Sequence, residues 1–243
     1  TKSEIRDTYF NNLGEMVGEI SAAAGSGPRI IPTLAVRGGQ TLQWHLENGP
    51  AMAALGSGRW DYVVLQEQSL LGGATINGKE EVADPAAFHA SVREWTRRIR
   101  NVGAKPVLFM TWARRSLPND AAGLAEQAIL SEAYNAIGRE LGVDVAPVGE
   151  AWSAARTRWL SLDLHIFDGS HPTPAGSYLA ACVIYATLTG TEPKGAPSVI
   201  LGHPTSRGER IPGAVQSVIV DFSEKVPLVD LGTTTASWLR EMA

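Results

Sequence analysis

Cysteine occurs once in the 243 residues, at Cys182. A single thiol excludes a disulfide framework and a thiolate metal centre, and its place in an apolar helical pattern reads as a buried small hydrophobe. Basic excess is missing too: 21 Lys and Arg against 25 Asp and Glu give a formal net charge of −4. Nothing in that balance offers a surface to nucleic acid or acidic lipid. No apolar run approaches the roughly 20 residues that span a bilayer. No leader-type pattern is visible in the N-terminal residues as they stand, and the compartment stays open. What remains is ordinary, with 44% hydrophobic and 19% charged residues. Such a chain has the means for a globular core and the length for one large α/β domain.

No internal repeat, low-complexity tract or linker interrupts residues 1–190, and apolar periodicity alternates there between helix and strand. Leu13, Met16, Val17, Ile20 and Ala24 recur at helical spacing ahead of Gly25 and Gly27. Ile30 to Val36 reads as a strand ending at Gly38-Gly39, and Leu42 to Leu55 as a helix. Trp60 to Leu65 is a short run of the buried-strand type. Asp84-Pro85 predicts a helix start, with Phe88, Val92, Trp95, Ile99 and Val102 on one face and Gly103 at the end. Pro106 to Trp112 and Val143 to Val148 read as further strands, with helices over Leu124 to Leu141 and Pro174 to Leu188. Beyond Thr191 the pattern is less regular, with a strand expected at Ser217 to Phe222 and the end of a short helix at Ser237 to Met242. The alternation implies an α/β fold, a doubly wound, mainly parallel sheet with helices on both faces. Residues 1–190 are expected to form the main domain and residues 191–243 an extension packed on it.

Ligands of open parallel sheets bind beyond the carboxyl ends of the strands. The segments in those places are Gly38-Gly39-Gln40, Gln66-Glu67-Gln68-Ser69, Thr111-Trp112-Ala113-Arg114 and Gly149-Glu150-Ala151-Trp152, the last leading to Asp168-Gly169-Ser170-His171. They are polar and rich in Gly and Trp, which suits a small-molecule pocket. Asp168 and His171 are the most informative pair. Their D-x-x-H spacing lets one carboxylate reach the imidazole of the same turn, fixing its tautomer and supporting the imidazolium formed on proton uptake. The plain alternative is a loop histidine with an aspartate capping the turn. A metal reading competes, because Asp163, His165, Asp168 and His171 fall within a few residues of one another. It lacks a third anchor elsewhere, and no metal or cofactor is expected. His45 in LQWHL reads as a structural histidine, while His89, His165 and His203 have no nameable partner. Arg114-Arg115 could meet an acidic substrate or simply be solvated.

DGSHPTPAGSYLAACVIYATLTG resembles the last block of the SGNH (GDSL-like) hydrolases. WDYVVLQEQS is similar to their third block in a subgroup with Gln in place of Asn, and RGGQTLQWHL resembles the second block. FNNLGEMVGEISAAAG resembles the helix after the nucleophile block, so that the likeness runs in block order over residues 8–190. The resemblance implies an SGNH-type serine esterase or acetylesterase, acting on a small-molecule or glycan ester and not on nucleic acid or membrane. A secreted or periplasmic setting is what family analogy favours. It also implies roles. Asp168 and His171 complete a Ser-His-Asp triad, while the Gly39 amide and the Gln66 side chain serve as oxyanion donors. Gly38 is the second choice for the glycine. Gly38, Glu67 and Trp112 become substrate-binding candidates, the alternatives being a tight turn for Gly38-Gly39, a loop-structuring role for Glu67 and Gln68, and core packing for Trp112.

The pattern departs at its beginning. The family opens on a strand and a G-x-S or G-N-S turn, whereas here only Ser3 precedes Asn11-Asn12-Leu13, with Lys2 where the family has Asn or Asp. Either a strand precedes Thr1, or Ser217 to Phe222 fills the central place, or the chain carries no working serine. Ser3 is the nucleophile candidate, and a mobile terminal serine the alternative. An inactive relative that binds or displays carbohydrate is the competing function.

Overall fold

The computed structural model describes residues 12–25, 27–76, 79–115, 121–203 and 225–243. Their elements, in chain order, are α1 (Leu13–Ala23), α2 (Leu42–Glu47), α3 (Pro50–Ser57), β1 (Tyr62–Leu65), β2 (Ala74–Ile76), β3 (Lys79–Glu81), α4 (Ala86–Asn101), β4 (Lys105–Phe109), α5 (Ala121–Leu141), β5 (Asp144–Ala146), α6 (Val148–Arg158), α7 (Pro174–Thr189), β6 (Val199–Gly202), β7 (Val226–Asp230) and α8 (Thr233–Glu241). Ser3 and the strand expected at Ser217 to Phe222 lie outside the described residues. The chain divides into two compact units, Thr1–Thr33 with Ala154–Ala243, and Leu34–Ser153, the division falling within α6. No helix among the described residues is long and apolar enough to cross a membrane.

In the unit Leu34–Ser153 the apolar runs pair into a parallel sheet of order β1-β4-β5, with Val64 opposite Val107 and Leu108 opposite Val145. The sheet is flanked by helices, α4 packing on β4 and α5 on β5. The α4 sequence explains its seat. Phe88, Val92, Trp95 and Ile99 recur at helical spacing and are all buried, each worth about 1.5–3 kcal/mol of transfer free energy. Gly103, at φ 83°, turns the chain out of the helix. Trp95 Nε1 donates to the Leu42 carbonyl at 3.0 Å, so α4 also holds α2.

In the other unit α1, α8 and β7 pack on α7, from which Ala175 to Tyr185 are continuously buried. The ends of α7 are written locally. Thr173 Oγ1 accepts the Gly176 amide at 3.2 Å, Pro174 occupies the first turn, and Gly190 closes in the left-handed region. Cys182 is inside, where burial pushes its thiol up to about 12. Arg240 donates to the Ala196 carbonyl at 2.7 Å and to Tyr178 Oη at 3.4 Å, latching α8 down. β6 and β7 pair antiparallel with an irregularity at Ile200/Leu201.

Several expectations need correction. The Trp60 to Leu65 run forms β1 but is not buried throughout, Tyr62 and Val64 being exposed, and the strand expected over Pro106 to Trp112 ends at Phe109. Ile30 to Val36 belongs to no strand and joins no ladder. Pro32 lacks a donor, the Ile30 amide goes to Ser21 Oγ at 2.9 Å, and Ile31 and Val36 are 82% and 71% exposed. The helix expected over Leu42 to Leu55 is two, broken where Gly49 takes φ 89° before Pro50. The strand expected over Val143 to Val148 stops at Ala146, and Gly149 to Trp152 belong to α6 rather than to a loop. Val102 is exposed, because α4 has already ended at Asn101. The antiparallel pairs β2-β3 and β6-β7 had no period long enough to announce them.

Candidate active site

Asp168 and His171 sit on a short antiparallel loop. Thr173 N donates to the Leu164 carbonyl (2.8 Å), Ile166 N to the His171 carbonyl (2.9 Å), and His165 bridges to Pro172. A turn from Ile166 to Gly169 closes the tip, with Gly169 N on the Ile166 carbonyl at 3.0 Å and Gly169 at φ 68°. This is the turn-plus-left-handed-glycine geometry of short hairpins, and it is why glycine stands between the acid and the base. Asp168 Oδ1 accepts the amides of Ser170 (2.8 Å) and His171 (2.9 Å), while Oδ2 lies 2.7 Å from His171 Nδ1. Burial by itself would raise the Asp168 pKa. The two amides and the imidazole outweigh it, and the carboxyl is held below its ordinary value. An ionised Oδ2 favours the proton on Nδ1, and in the neutral imidazole Nε2 is then the lone-pair acceptor. His171 is 59% exposed and Asp168 33%, so that this acceptor is open to an incoming group.

Gly38 and Gly39 form the corner of a turn in which Gln40 N meets the Arg37 carbonyl at 3.4 Å, and Gly39 takes φ 73°. That conformation favours glycine. Gln66 follows β1 and is exposed. Glu67 is buried. Its Oε2 accepts the Leu42 amide (3.1 Å) and its Oε1 the Gln68 amide (2.7 Å), so the carboxylate fastens the loop of Gln66 to the start of α2, just past the glycine turn. Burial nevertheless raises the Glu67 pKa, the two amides acting against it. Gln68 Oε1 accepts the amides of Leu70 (2.7 Å) and Gly72 (3.0 Å). The loop-building roles of Glu67 and Gln68 are thus visible in their bonds. Trp112 is half-buried and stacks on Trp152 at 4.0 Å and 3°. Asp168 and His171 belong to one unit, and Gly38, Gly39, Gln66, Glu67 and Trp112 to the other.

Several polar residues that the sequence left silent hold these loops. Buried Gln127 accepts the Ala113 amide at 2.7 Å and donates to the Thr111 carbonyl at 3.3 Å. The Arg114 guanidinium meets Ser69 Oγ at 3.1 and 3.3 Å, joining the loops after β1 and β4. His203 Nδ1 lies 2.8 Å from Glu15 Oε1, and Asn12 Nδ2 donates to the His203 carbonyl at 2.8 Å. This second acid–imidazole pair joins residues 188 positions apart, so no local motif could reveal it. His89 Nε2 meets the Ala133 carbonyl at 2.8 Å, and burial lowers the pKa of His45, as befits a structural imidazole. Among the described residues no group of three or more His, Cys, Asp and Glu side chains gathers to hold a metal ion. In particular, His165 is buried while Asp163 is exposed.

Comparison with solved structures bears on this arrangement. A chain from Slackia heliotrinireducens, named as a candidate SGNH hydrolase, is 27% identical over 75% of this chain and 94% of its own, with a TM-score of 0.56. The chain has an SGNH-hydrolase-like fold. A DUF4886 family protein from Bacteroides uniformis shares it at 21% identity and a TM-score of 0.58, over 80% of this chain and 83% of its own. No family profile matches the sequence, and no curated protein does. The SGNH-like α/β architecture, a parallel three-stranded sheet flanked by helices, is therefore carried by three-dimensional likeness and by the sheet itself.

Proposed function

We propose that the protein is a serine hydrolase of carboxylic esters, with O-acetylated carbohydrate as its substrate class. The observation that carries this reading is the Asp168 Oδ2–His171 Nδ1 contact of 2.7 Å, in a turn that leaves Nε2 exposed. In the proposed reaction His171 Nε2 takes the proton of a serine hydroxyl as its oxygen attacks the ester carbonyl, and Asp168 stabilises the imidazolium. The carbonyl oxygen becomes an oxyanion received by the Gly39 amide, with Gly38 as its neighbour, and by the Gln66 side-chain amide. His171 then gives its proton to the departing alkoxide, and water releases the acyl group by the same route in reverse. Ser3 is our candidate nucleophile, and Gln66 marks the subgroup whose third block carries Gln. Glu67 supports the donors by tying their loops together, and Trp112 offers a flat wall against Trp152.

Hydrolysis of p-nitrophenyl acetate and labelling by a fluorophosphonate probe test the proposal. His171→Ala should lower kcat/KM by at least about 10²–10⁴-fold, and the labelled residue should be Ser3. Full activity in His171→Ala would remove the base. Absence of both turnover and labelling, with glycan binding retained, would make the chain a carbohydrate-binding relative instead.

A further inference from the structure

The loop that carries the acid–imidazole pair exposes one large apolar side chain at its tip. Leu164, His165 and Ile166 are buried beneath the loop, while Phe167, the next residue, is 60% exposed. It occupies the leading corner of the Ile166–Gly169 turn, a position where Pro, Asp, Asn, Ser and Gly ordinarily serve. Phenylalanine has no ordinary part in such a turn: its side chain neither presets φ nor bonds the backbone. The turn is nevertheless fixed by the Gly169–Ile166 bond, the Ile166–His171 bond and the two amides on Asp168 Oδ1, so the ring is displayed from a rigid support. Phe167 is the chain neighbour of Asp168, whose carboxylate lies 2.7 Å from the imidazole, so the exposed residue stands next to the acid–imidazole pair.

The chemistry says which part of a substrate meets that ring. His171 Nε2 must return its proton to the departing alkoxide, so the alkoxide oxygen lies within hydrogen-bond distance of Nε2. The body of the alcohol, and not the acyl group, then extends over the residues beside the base. We infer that Phe167 is a specificity-determining residue on the alcohol side, and that the preferred alcohol presents a flat C–H face, as a pyranose ring does. This inference rests on the hydrolase reading above. Ring C–H groups lie against the aromatic face while hydroxyls stay in water, so contact is gained without burying a polar group.

The test keeps the acyl group constant. A mono-O-acetyl methyl glucopyranoside and ethyl acetate pass through the same acetyl-enzyme, so their kcat/KM ratio reports only the step in which the alcohol is present. Phe167→Ser should lower the glycoside-to-ethyl ratio by about tenfold, and Phe167→Tyr should restore it. Leu160→Ser, at the exposed corner of the preceding turn, serves as control and should leave the ratio unchanged. A general loss of structure would depress both esters together. An unchanged ratio in Phe167→Ser, or a wild-type ratio that already favours ethyl acetate, would overturn the inference. Release of acetate from neither ester by the wild-type protein would instead overturn the hydrolase reading, and that result is read before any variant is made.

Discussion

Replacing Asp168 by asparagine separates the two tasks of its carboxylate. One oxygen builds the turn, accepting the Ser170 and His171 amides at 2.8 and 2.9 Å, and the other faces His171 Nδ1 at 2.7 Å. Asparagine keeps an oxygen for the two amides, so the turn should survive with a stability change of about 1 kcal/mol or less. Its NH₂, however, now faces Nδ1. A donor opposite Nδ1 favours the tautomer protonated on Nε2, and the base loses its lone pair on the open side. Triad enzymes lose about 10⁴-fold in kcat when the orienting acid becomes an amide, and a loss of that order is expected for Asp168→Asn on p-nitrophenyl acetate at pH 7, with Tm nearly unchanged. Asp168→Ala should lower both rate and Tm, because it removes the acceptors of the turn as well. The sign of the pH dependence follows from the depressed Asp168 pKa. Stability from this carboxylate is present above the unfolded value, about 3.9, and is lost only as pH falls through the lower folded value. The turn should therefore stay folded on acidification down to about pH 4, as near-constant Tm over that range would show. Asp168→Asn acting at near wild-type rate, or losing rate only in proportion to lost folded fraction, would refute this account.

Glu67 has the opposite sign. Its folded pKa is raised by burial, so the protonated form favours the fold, and stability falls as pH rises from about 4.3 through the raised value. Glu67→Gln should flatten that slope in urea titrations across pH 4–8; it should also cost about 1–3 kcal/mol, because a single amide oxygen is left for the Leu42 and Gln68 amides. Arg240→Met keeps most of the side-chain stem but removes one of the two donors to the Ala196 carbonyl, the other being Tyr178 Oη at 3.3 Å, and a loss of about 1 kcal/mol with no change in ester kinetics is expected by thermal melting and p-nitrophenyl acetate assay. Equal stability of this variant would mean that Tyr178 Oη alone suffices for the carbonyl.

Much of the candidate site was legible because its contacts are local. Asp168 and His171 are three residues apart, and so are Thr173 and the Gly176 amide that it caps. Such bonds depend on the sequence within one turn and fix the acid, the base and the start of α7 before any packing is known. The buried face of α4 was legible for a related reason: a period-bearing run needs only to know that it has an inside, whereas the apolar run of β1 located the strand but not its exposed Tyr62 and Val64. Ile30 to Val36 failed the same test, since apolar, β-branched residues make a strand only where a neighbour supplies the ladder.

By itself, then, the sequence determined the capped helices, the places of the short parallel strands and the acid–imidazole turn. Tertiary structure alone decided that Glu67 would serve the Leu42 amide, that Gln127 would hold the loop after β4, that Arg240 would find Ala196, and that His203 would find Glu15. The physical reason is reach. A bond between residues in one turn carries almost no loop-closure entropy and little choice of partner, whereas a partner many tens of residues away is selected by which surfaces the whole chain can bury together.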